Sequence, residues 1–290
     1  MTDEIRALLA RRLPGYEVRS VAALGEGVDN AAHDVNGELI VRKSKETDPA
    51  RRGEATRREA DLLAAVAAFS TLPVPEVLFA DPEAGVLAYR KLHGVPLMDH
   101  PAAEPARLAP ALGRFLGRLH RVPVREVVEL VEPDPYPLAA WLRDAERDYR
   151  EISDQAPAAA CRLIEHFLAR TPPEEPRAGT FCHNDLGAEH VLVDAAGSAV
   201  TGVIDWTDAA IADPARDLAT VYRDLGPENF ERVLAHYDGG AVDDADRERV
   251  VFFARCKLLE DVAYGLSTPG AYRYAEAGME NLARTFGGPA

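Results

Sequence analysis

Hydrophobic and polar residues alternate in short runs over the first 92 positions, and a period of two is typical of strands. Five runs have this pattern: residues 16–23, 31–35, 38–42, 76–80 and 85–92. The second and third runs flank Asn36-Gly37, a dipeptide that strongly indicates a tight hairpin. Helical spacing occurs at residues 3–12 and 53–69. We therefore predict a small five-stranded antiparallel sheet with one inserted helix.

Beyond residue 92 the apolar residues mostly recur every three to four positions, which is the period of a helix. The predicted helices span residues 105–121, 136–150, 158–170, 214–225, 227–237 and 244–266. Three short apolar runs are predicted to be strands that bracket two acidic loops: residues 180–182, 190–193 and 200–204. The predicted fold class is α+β with two lobes, a sheet lobe at 1–92 and a larger, mainly helical lobe at 93–290.

The charge balance restricts the class of partner. The chain has 33 basic and 48 acidic residues, which gives a formal charge of −15. Such a charge opposes binding to nucleic acid or to an anionic membrane, and it favours a cationic partner. The acidity is equally consistent with a role in solubility alone.

The cysteines and the N-terminal residues indicate a compartment. Cys161, Cys182 and Cys256 are widely spaced and form no CxxC pair, so we expect reduced thiols instead of disulfides or a zinc site. The first residues do not resemble a secretory leader, and no apolar run is long enough to span a bilayer. We expect a cytoplasmic monomer.

The two acidic loops carry the candidate chemistry. Asp185 lies in TFCHNDLGAEHVLVD between two predicted strands, and Asp205 follows an apolar strand twenty positions later, in VIDWTDA. Phosphoryl transfer to a hydroxyl needs a carboxylate that orients the hydroxyl and accepts its proton, together with ligands for magnesium. Asp185 and Asp205 suit these two roles.

These segments, together with the following DPARDLA, resemble the aminoglycoside phosphotransferase family, which has a protein-kinase-like fold. The resemblance implies that Asp185 is the catalytic base and that Asp205 is the principal magnesium ligand. It places His190 where the family usually has a metal-binding asparagine. Since imidazole suits magnesium less well than an amide oxygen, His190 could contact the metal weakly, bind it through water, or only position the loop. A histidine here, with IDWT, is similar to the macrolide-phosphorylating branch.

The resemblance also implies a nucleotide site in the first lobe. Gly25, Gly27 and Asn30 belong to GEGVDN, which is similar to a loop whose backbone amides cover the phosphates. Arg42, in LIVR, stands where a lysine usually holds the inner phosphates, and Lys43 should point to the other face of the strand. A simple turn is the alternative interpretation of the glycine loop.

Three further residues complete the predicted nucleotide site. Glu59 on the first-lobe helix is expected to pair with Arg42, and Glu54 is the alternative partner. Tyr89 and Lys91 belong to the expected hinge, whose backbone would hold the purine. The hinge sequence does not distinguish ATP from GTP as the phosphate donor.

The acceptor is predicted to bind in the helical lobe. Asp208, Glu260 and Asp261 are candidate anions for an amine-bearing acceptor, although solvated surface carboxylates are an equal alternative. The function implied is magnesium-dependent transfer of a nucleotide γ-phosphate to a hydroxyl of an aminoglycoside, macrolide or similar antibiotic. An endogenous sugar or amino alcohol remains an alternative acceptor.

Rival functions have weaker support. A metal-dependent hydrolase could use His183, Asp185, His190 and Asp205 as ligands, but it would leave the glycine loop and LIVR unused. An inactive nucleotide-binding protein is the second rival, because of the change at His190. No GxSxG, GxxxxGK[ST] or Rossmann glycine motif occurs.

Three further polar residues are given supporting roles or none. Asp217 is implied by the resemblance to brace the catalytic loop, and His183 is expected to be a packed support. His120 has no informative context and is expected to be an ordinary histidine.

Overall fold

The computed structural model describes residues 2–26, 30–176 and 178–287. It divides the chain into two compact units. The first is Met1–His93 together with Gly202–Thr207, and the second is Gly94–Thr201 together with Asp208–Ala290. The predicted boundary near residue 92 assigned Gly202–Thr207 to the second lobe, whereas these residues belong to the first unit.

The first unit is an antiparallel sheet with two helices. Its elements are α1 (Thr2–Arg12), β1 (Val21–Glu26), β2 (Asn30–Val35), β3 (Leu39–Ser44), α2 (Pro49–Phe69), β4 (Val77–Asp81) and β5 (Val86–Arg90). The strand order is β1-β2-β3-β5-β4, and every neighbouring pair is antiparallel. The predicted five-stranded sheet with one inserted helix is confirmed.

The hairpin between β2 and β3 turns at Asn36-Gly37, as predicted. Both residues have positive φ angles, 62° and 74°, as the central residues of a type I′ turn do, and the Glu38 amide donates to the Val35 oxygen across the turn. The Asn36 side-chain oxygen accepts hydrogen bonds from the backbone amides of Arg19 and Ser20, at 2.8 and 2.9 Å. Because a side chain takes these amides, β1 begins at Val21, and the strand predicted from residue 16 was placed too early.

Helix α2 crosses the unit and carries Glu59. It begins at Pro49, four residues before the predicted start, because Asp48 caps it by accepting a hydrogen bond from the Arg51 amide. Gly53 lies inside the helix, where an added Cβ would be 3.3 Å from the Pro82 carbonyl oxygen. The close approach of Pro82 explains a glycine at this position.

The second unit is mainly helical. Its elements are β6 (Val95–Pro96), α3 (Ala109–His120), α4 (Leu138–Ile152), α5 (Ala158–Leu168), β7 (Thr180–Cys182), β8 (Val191–Val193), β9 (Val200–Val203), β10 (Ala210–Ala212), α6 (Ala215–Leu225), α7 (Pro227–Leu234), α8 (Asp244–Ser267) and α9 (Tyr272–Gly287). Antiparallel pairs β7–β10 and β6–β8 flank the loop that contains Asp185, and the end of β9 enters the first unit. In the described part of the chain, no helix is both long and apolar enough to cross a membrane.

Helix α8 forms the centre of this unit and packs against α4, α6 and α9. A reciprocal capping box of Asp243 and Asp246 starts it. Helix α9 was not predicted. It approaches α8 through small residues, since a Cβ on Gly265 would lie 2.3 Å from the Ala275 amide nitrogen. The buried residues of α9, which include Ala275, Gly278, Leu282 and Phe286, do recur with a helical period, so the sequence carried a signal that the prediction did not use.

The three cysteines are free thiols, as expected from their spacing. Cys182 and Cys256 are fully buried, and burial raises the pKa of both thiols well above the ordinary value. Cys161 is partly exposed.

Candidate active site

The loop after β7 contains Asp185 and is anchored to α6. The backbone amides of His183 and Asn184 donate hydrogen bonds to the Asp217 carboxylate, at 2.9 and 2.7 Å. Asn184 has a φ of 70°, in the left-handed region that few residues other than glycine adopt. The predicted contact of Asp217 with this loop is therefore present.

Asp217 is itself held by a residue that the sequence analysis missed. The buried His120 places its Nε2 atom 3.0 Å from Asp217 and its Nδ1 atom 2.8 Å from the Tyr237 hydroxyl. His120 belongs to α3 and Tyr237 follows α7, so elements far apart in sequence support the loop. Only tertiary structure brings these side chains together.

Lys257 and His190 are the basic side chains closest to the Asp185 carboxylate. Its side chain is 36% exposed, the Lys257 Nζ atom is 3.8 Å from its Oδ1 atom, and the His190 Nδ1 atom is 3.4 Å from its Oδ2 atom. Burial acts to raise the pKa of Asp185, but Lys257 and then His190 outweigh it, so the pKa is lowered. Asp185 is a carboxylate at neutral pH and can accept a hydrogen bond from a hydroxyl.

His190 uses one ring nitrogen within the loop. Its Nδ1 atom is 2.8 Å from the backbone oxygen of Asp185, which fixes the ring orientation. Ligand atoms of Asp185, Glu189 and His190 lie within 4.8 Å of one another, a spacing that could hold a metal ion. Arg223, 3.8 Å from Glu189, already places positive charge beside this cluster.

A large acidic cavity in the second unit contains Asp185. Its volume is about 650 Å³, and its lining includes Asp185 and His190 as well as the three predicted acceptor residues Asp208, Glu260 and Asp261. The remaining charged lining residues are Asp134, Arg147, Asp148, Glu151, Glu189, Arg223 and Lys257. Carboxylates outnumber cations, so the cavity is strongly negative.

The predicted acceptor carboxylates differ in their surroundings. Asp261 lies 2.7 Å from the buried guanidinium of Arg223, whereas Glu260 and Asp208 are exposed to the cavity. Desolvation within the cavity raises the pKa of Glu260, and burial raises the pKa of Asp261 well above its ordinary value. Raised pKa values are expected where carboxylates crowd together without enough bound cations.

A second cluster forms within the first unit around Arg42. Its Nη1 atom donates to Glu59 at 2.5 Å and lies 3.8 Å from Asp205, and its Nη2 atom donates to Thr207 at 3.0 Å. Lys43 points elsewhere, to Glu4, as strand alternation requires. Burial and the neighbouring Asp205 raise the pKa of Glu59 against the attraction of Arg42.

Asp205 follows β9 in a strained backbone conformation. Its φ is 60°, its side chain is 44% exposed, and its Oδ1 atom accepts a hydrogen bond from Thr207 at 2.9 Å. The next residue, Trp206, is almost fully buried and fixes the turn. Such a conformation in a residue other than glycine persists only where the surroundings impose it, which is common at functional sites.

The remaining predicted nucleotide residues are less closely grouped. Tyr89 on β5 is near Arg42, and burial, together with Asp205 and Glu59, raises its pKa to about 12. The ammonium of Lys91 is engaged by Asp34 at 2.5 Å. Gly25 lies near the end of β1 and Asn30 begins β2, while Gly27 is outside the described residues.

A comparison with protein families decides the identity. The profile described as the phosphotransferase enzyme family, APH, matches residues 20–253, which is most of the chain. The chain belongs to this family. It is therefore a phosphotransferase, and the predicted resemblance is confirmed.

Some relatives of this phosphotransferase cover most of its length. Viomycin phosphotransferase from Streptomyces vinaceus is 29% identical in an alignment of 275 positions, and the match covers 89% of this chain and 91% of the relative. A solved GDP and kanamycin complex of an APH(2″) enzyme has a TM-score of 0.67 at 23% identity, covering 97% of this chain and 98% of that one. Macrolide 2′-phosphotransferase from Brachybacterium faecium has a TM-score of 0.64 at 23% identity and covers 99% of both chains. The two solved structures confirm the kinase-like fold.

Several cavity residues of the phosphotransferase were not predicted from its sequence. Lys257, Trp141 and Glu189 line the cavity with Asp185, but they come from α8, α4 and the loop before β8. Lys257 did leave a signal, because it is one of two basic residues, with Arg255, within a largely apolar stretch of α8. A charged residue at a buried helical position is expected to have a charged or polar partner.

Proposed function

We propose that this phosphotransferase is a magnesium-dependent kinase of cationic antibiotics. It transfers the γ-phosphate of ATP or GTP to an acceptor hydroxyl. Asp185 orients the hydroxyl, Arg42 contacts the nucleotide phosphates, and Asp208, Glu260 and Asp261 attract the acceptor. The hinge at Tyr89 and Lys91, and the turn containing Gly25, Gly27 and Asn30, hold the nucleotide.

The observation that carries this proposal is the position of Asp185 in the acidic cavity. A cavity of about 650 Å³ has the size of sites that accommodate small molecules. Its excess of carboxylates favours an acceptor with several positive charges. Asp185 is the cavity residue that the family motif assigns to the hydroxyl.

Asp205 suits a magnesium site, whereas His190 suits it less well. A half-exposed carboxylate is a hard oxygen ligand of the kind that magnesium prefers, and imidazole is not. When bound, magnesium neutralises the charge on the nucleotide phosphates. We propose Asp205 as the protein ligand, with His190 as a weaker or water-mediated one.

The residues of the chain contribute to phosphoryl transfer mainly by positioning the acceptor hydroxyl and the nucleotide. The acceptor hydroxyl donates a hydrogen bond to Asp185 while its oxygen attacks the γ-phosphorus. The new P–O bond forms as the bond to the bridging β-γ oxygen breaks, and the nucleoside diphosphate leaves with that oxygen. The hydroxyl proton passes to Asp185. Because its pKa is low, Asp185 takes the proton only late in the transfer.

The acceptor class is inferred from charge and from the relatives. One relative is a viomycin phosphotransferase, one similar solved structure is a complex with kanamycin, and another is a macrolide 2′-phosphotransferase. The acidic cavity favours amine-rich acceptors such as kanamycin over macrolides, whose surface is mostly apolar. His190 and IDWT are the features that keep macrolides among the candidates.

The test is release of nucleoside diphosphate by purified protein. ATP and GTP are supplied in parallel with magnesium, each with kanamycin, viomycin, a macrolide or no acceptor. We expect a cationic acceptor to increase the release. Asp185→Asn should lower kcat by about 10²- to 10⁴-fold, the usual contribution of a positioned acid–base group.

Asp194→Asn is the matched control. Asp194 is an aspartate of the same segment, but its carboxylate accepts hydrogen bonds from Ser198 and from the Ala199 amide in the turn after β8 and does not line the cavity. This variant should keep its activity within about twofold of wild type, as surface substitutions usually do. Absence of acceptor-dependent release with either nucleotide, or full activity in Asp185→Asn, would exclude the proposed function.

A further inference from the structure

Lys257 is a buried lysine that faces the catalytic loop. Its side chain is 8% exposed, although lysine is almost never buried unless it is paired. The ammonium lies over the Trp141 ring, 5.6 Å from the centroid, and donates a hydrogen bond to the Asn184 backbone oxygen at 3.3 Å. It is also 3.8 Å from Asp185 Oδ1. The three contacts direct it to the peptide that joins Asn184 to Asp185.

Each of the four polar groups of Asn184 has a hydrogen-bond partner. Its backbone amide donates to Asp217, its side-chain amide donates to Asp134 at 3.1 Å, and its side-chain oxygen accepts from Arg216 at 3.2 Å. The fourth polar group is the backbone oxygen, which Lys257 binds. Since Asn184 is in the left-handed region, its peptide could otherwise rotate to relieve strain.

Rotation of that peptide would move Asp185, because the oxygen of Asn184 and the amide of Asp185 belong to one plane. Lys257 restrains the plane through the oxygen and restrains the carboxylate through its charge. Of the two residues that this peptide joins, Asp217, Asp134 and Arg216 contact only Asn184. The contact with both residues distinguishes Lys257 from the other anchors.

We propose that Lys257 is a positioning residue for phosphoryl transfer, which keeps the Asn184–Asp185 peptide and the Asp185 carboxylate in the orientation that receives the acceptor hydroxyl. The inference rests on the proposed function, since it assigns Asp185 to the acceptor. It requires a positive charge on Lys257, not only a side chain of its length. A methionine has nearly the same shape but cannot donate a hydrogen bond or pair with a carboxylate.

The experiment compares Lys257→Met and Lys257→Arg with the wild type. Nucleoside diphosphate release is measured with kanamycin, viomycin and a macrolide, and thermal unfolding is followed in parallel. Misplacement of a catalytic group affects the transition state more than substrate binding, so kcat should fall about tenfold or more in Lys257→Met, with KM for nucleotide nearly unchanged. Lys257→Arg should recover part of the lost kcat, because it restores the charge.

Arg255→Met is the matched control. Arg255 is a buried basic residue two positions earlier on α8, it donates to the Thr285 backbone oxygen, and its guanidinium packs on the Phe167 and Phe286 rings. This variant should lose stability and keep its kcat. Equal loss of kcat in both methionine variants, or kcat retained in Lys257→Met, would overturn the inference and leave the proposed function intact. A wild type that is inactive with every acceptor would overturn both.

Discussion

Two residues in the candidate site have a left-handed backbone without being glycine. They are Asn184, with φ of 70°, and Asp205, with φ of 60°. Such residues cost about 1 kcal/mol or more relative to a relaxed backbone, so the structure must hold them by other contacts. Asn184 is held by Asp217 and Lys257, and Asp205 is held by Thr207 and by the burial of Trp206. The strain therefore occurs where side-chain orientation matters most for the proposed reaction.

Glu59 should control nucleotide binding through Arg42. In Glu59→Gln the guanidinium of Arg42 loses the carboxylate at 2.5 Å and keeps the more distant one of Asp205 at 3.8 Å, so its orientation for the phosphates is held less firmly. Loss of one charge-assisted hydrogen bond predicts a nucleotide Kd about tenfold higher, measured by calorimetry.

Glu54→Gln provides the comparison, because Glu54 is an exposed glutamate on the same helix. We expect its nucleotide Kd to stay within about twofold of wild type, as is usual for exposed charges. Equal effects of the two substitutions would show that net charge, not the Arg42 pair, controls affinity.

Within the Arg42 cluster, the pair of Arg42 and Glu59 could be predicted because its signals are local. Strand alternation separates Arg42 from Lys43, and a helix after the strand supplies Glu59. Lys257 and His120 could not be predicted as partners of the catalytic loop. They come from α8 and α3, which are far from the loop in sequence, so only the tertiary packing of these helices brings the two side chains to it.

At the scale of elements, α6 links the catalytic loop to the helical core. Asp217 in its first turn accepts the amides of His183 and Asn184 and contacts His120, and its side chain is completely buried. The start of a helix favours a carboxylate, since the helix dipole is positive there. Helix α6 was predicted within one residue at its N-terminus, but its contact with His120 was not.

Asp217→Asn should destabilise the protein in a manner that depends on pH. Burial acts to raise the pKa of Asp217, but the hydrogen bond and charge of His120 and the loop amide outweigh it, so the pKa is lowered. A lowered pKa contributes stability above the ordinary value near 3.8, and that contribution is lost as the pH falls below it. At pH 7 we expect the free energy of unfolding to fall by about 2 to 4 kcal/mol, from two or more charge-assisted hydrogen bonds.

Urea unfolding of both proteins at neutral pH and near pH 3.5 measures this difference. The gap between wild type and Asp217→Asn should narrow at the acidic pH. A gap that stays constant or widens there would mean that the charge of Asp217 contributes nothing to stability.

At the scale of the whole molecule, the formal charge of −15 is unevenly distributed. The cavity concentrates carboxylates around Asp185, and the described arginine and lysine residues in its lining are Arg147, Arg223 and Lys257. A long-range attraction for cationic acceptors follows, and salt should screen it. The acidity could be predicted from the composition, but the concentration of carboxylates in one cavity could be recognised only from the structure.

Salt should therefore weaken acceptor binding more than nucleotide binding. Between about 50 and 500 mM NaCl the Debye length falls from roughly 14 to 4 Å, so the attraction of the cavity is largely lost. We expect KM for kanamycin to rise several-fold, and KM for nucleotide to rise less, in steady-state assays at saturating magnesium. Identical salt dependence of the two constants would contradict a role for the cavity charge.

The return of Gly202–Thr207 to the first unit has a consequence for recombination between homologues. The Val203 amide bonds to the Pro73 oxygen, and Thr207 bonds to Arg42, so this segment is matched to the N-terminal sequence although it is encoded between two parts of the second unit. A single crossover near residue 93 would place Arg42 and Glu59 of one parent against Asp205 and Thr207 of another. A chimaera designed to exchange acceptor preference should therefore take residues 202–207 from the same parent as residues 1–93. This design requires three junctions, after residues 93, 201 and 207, instead of one.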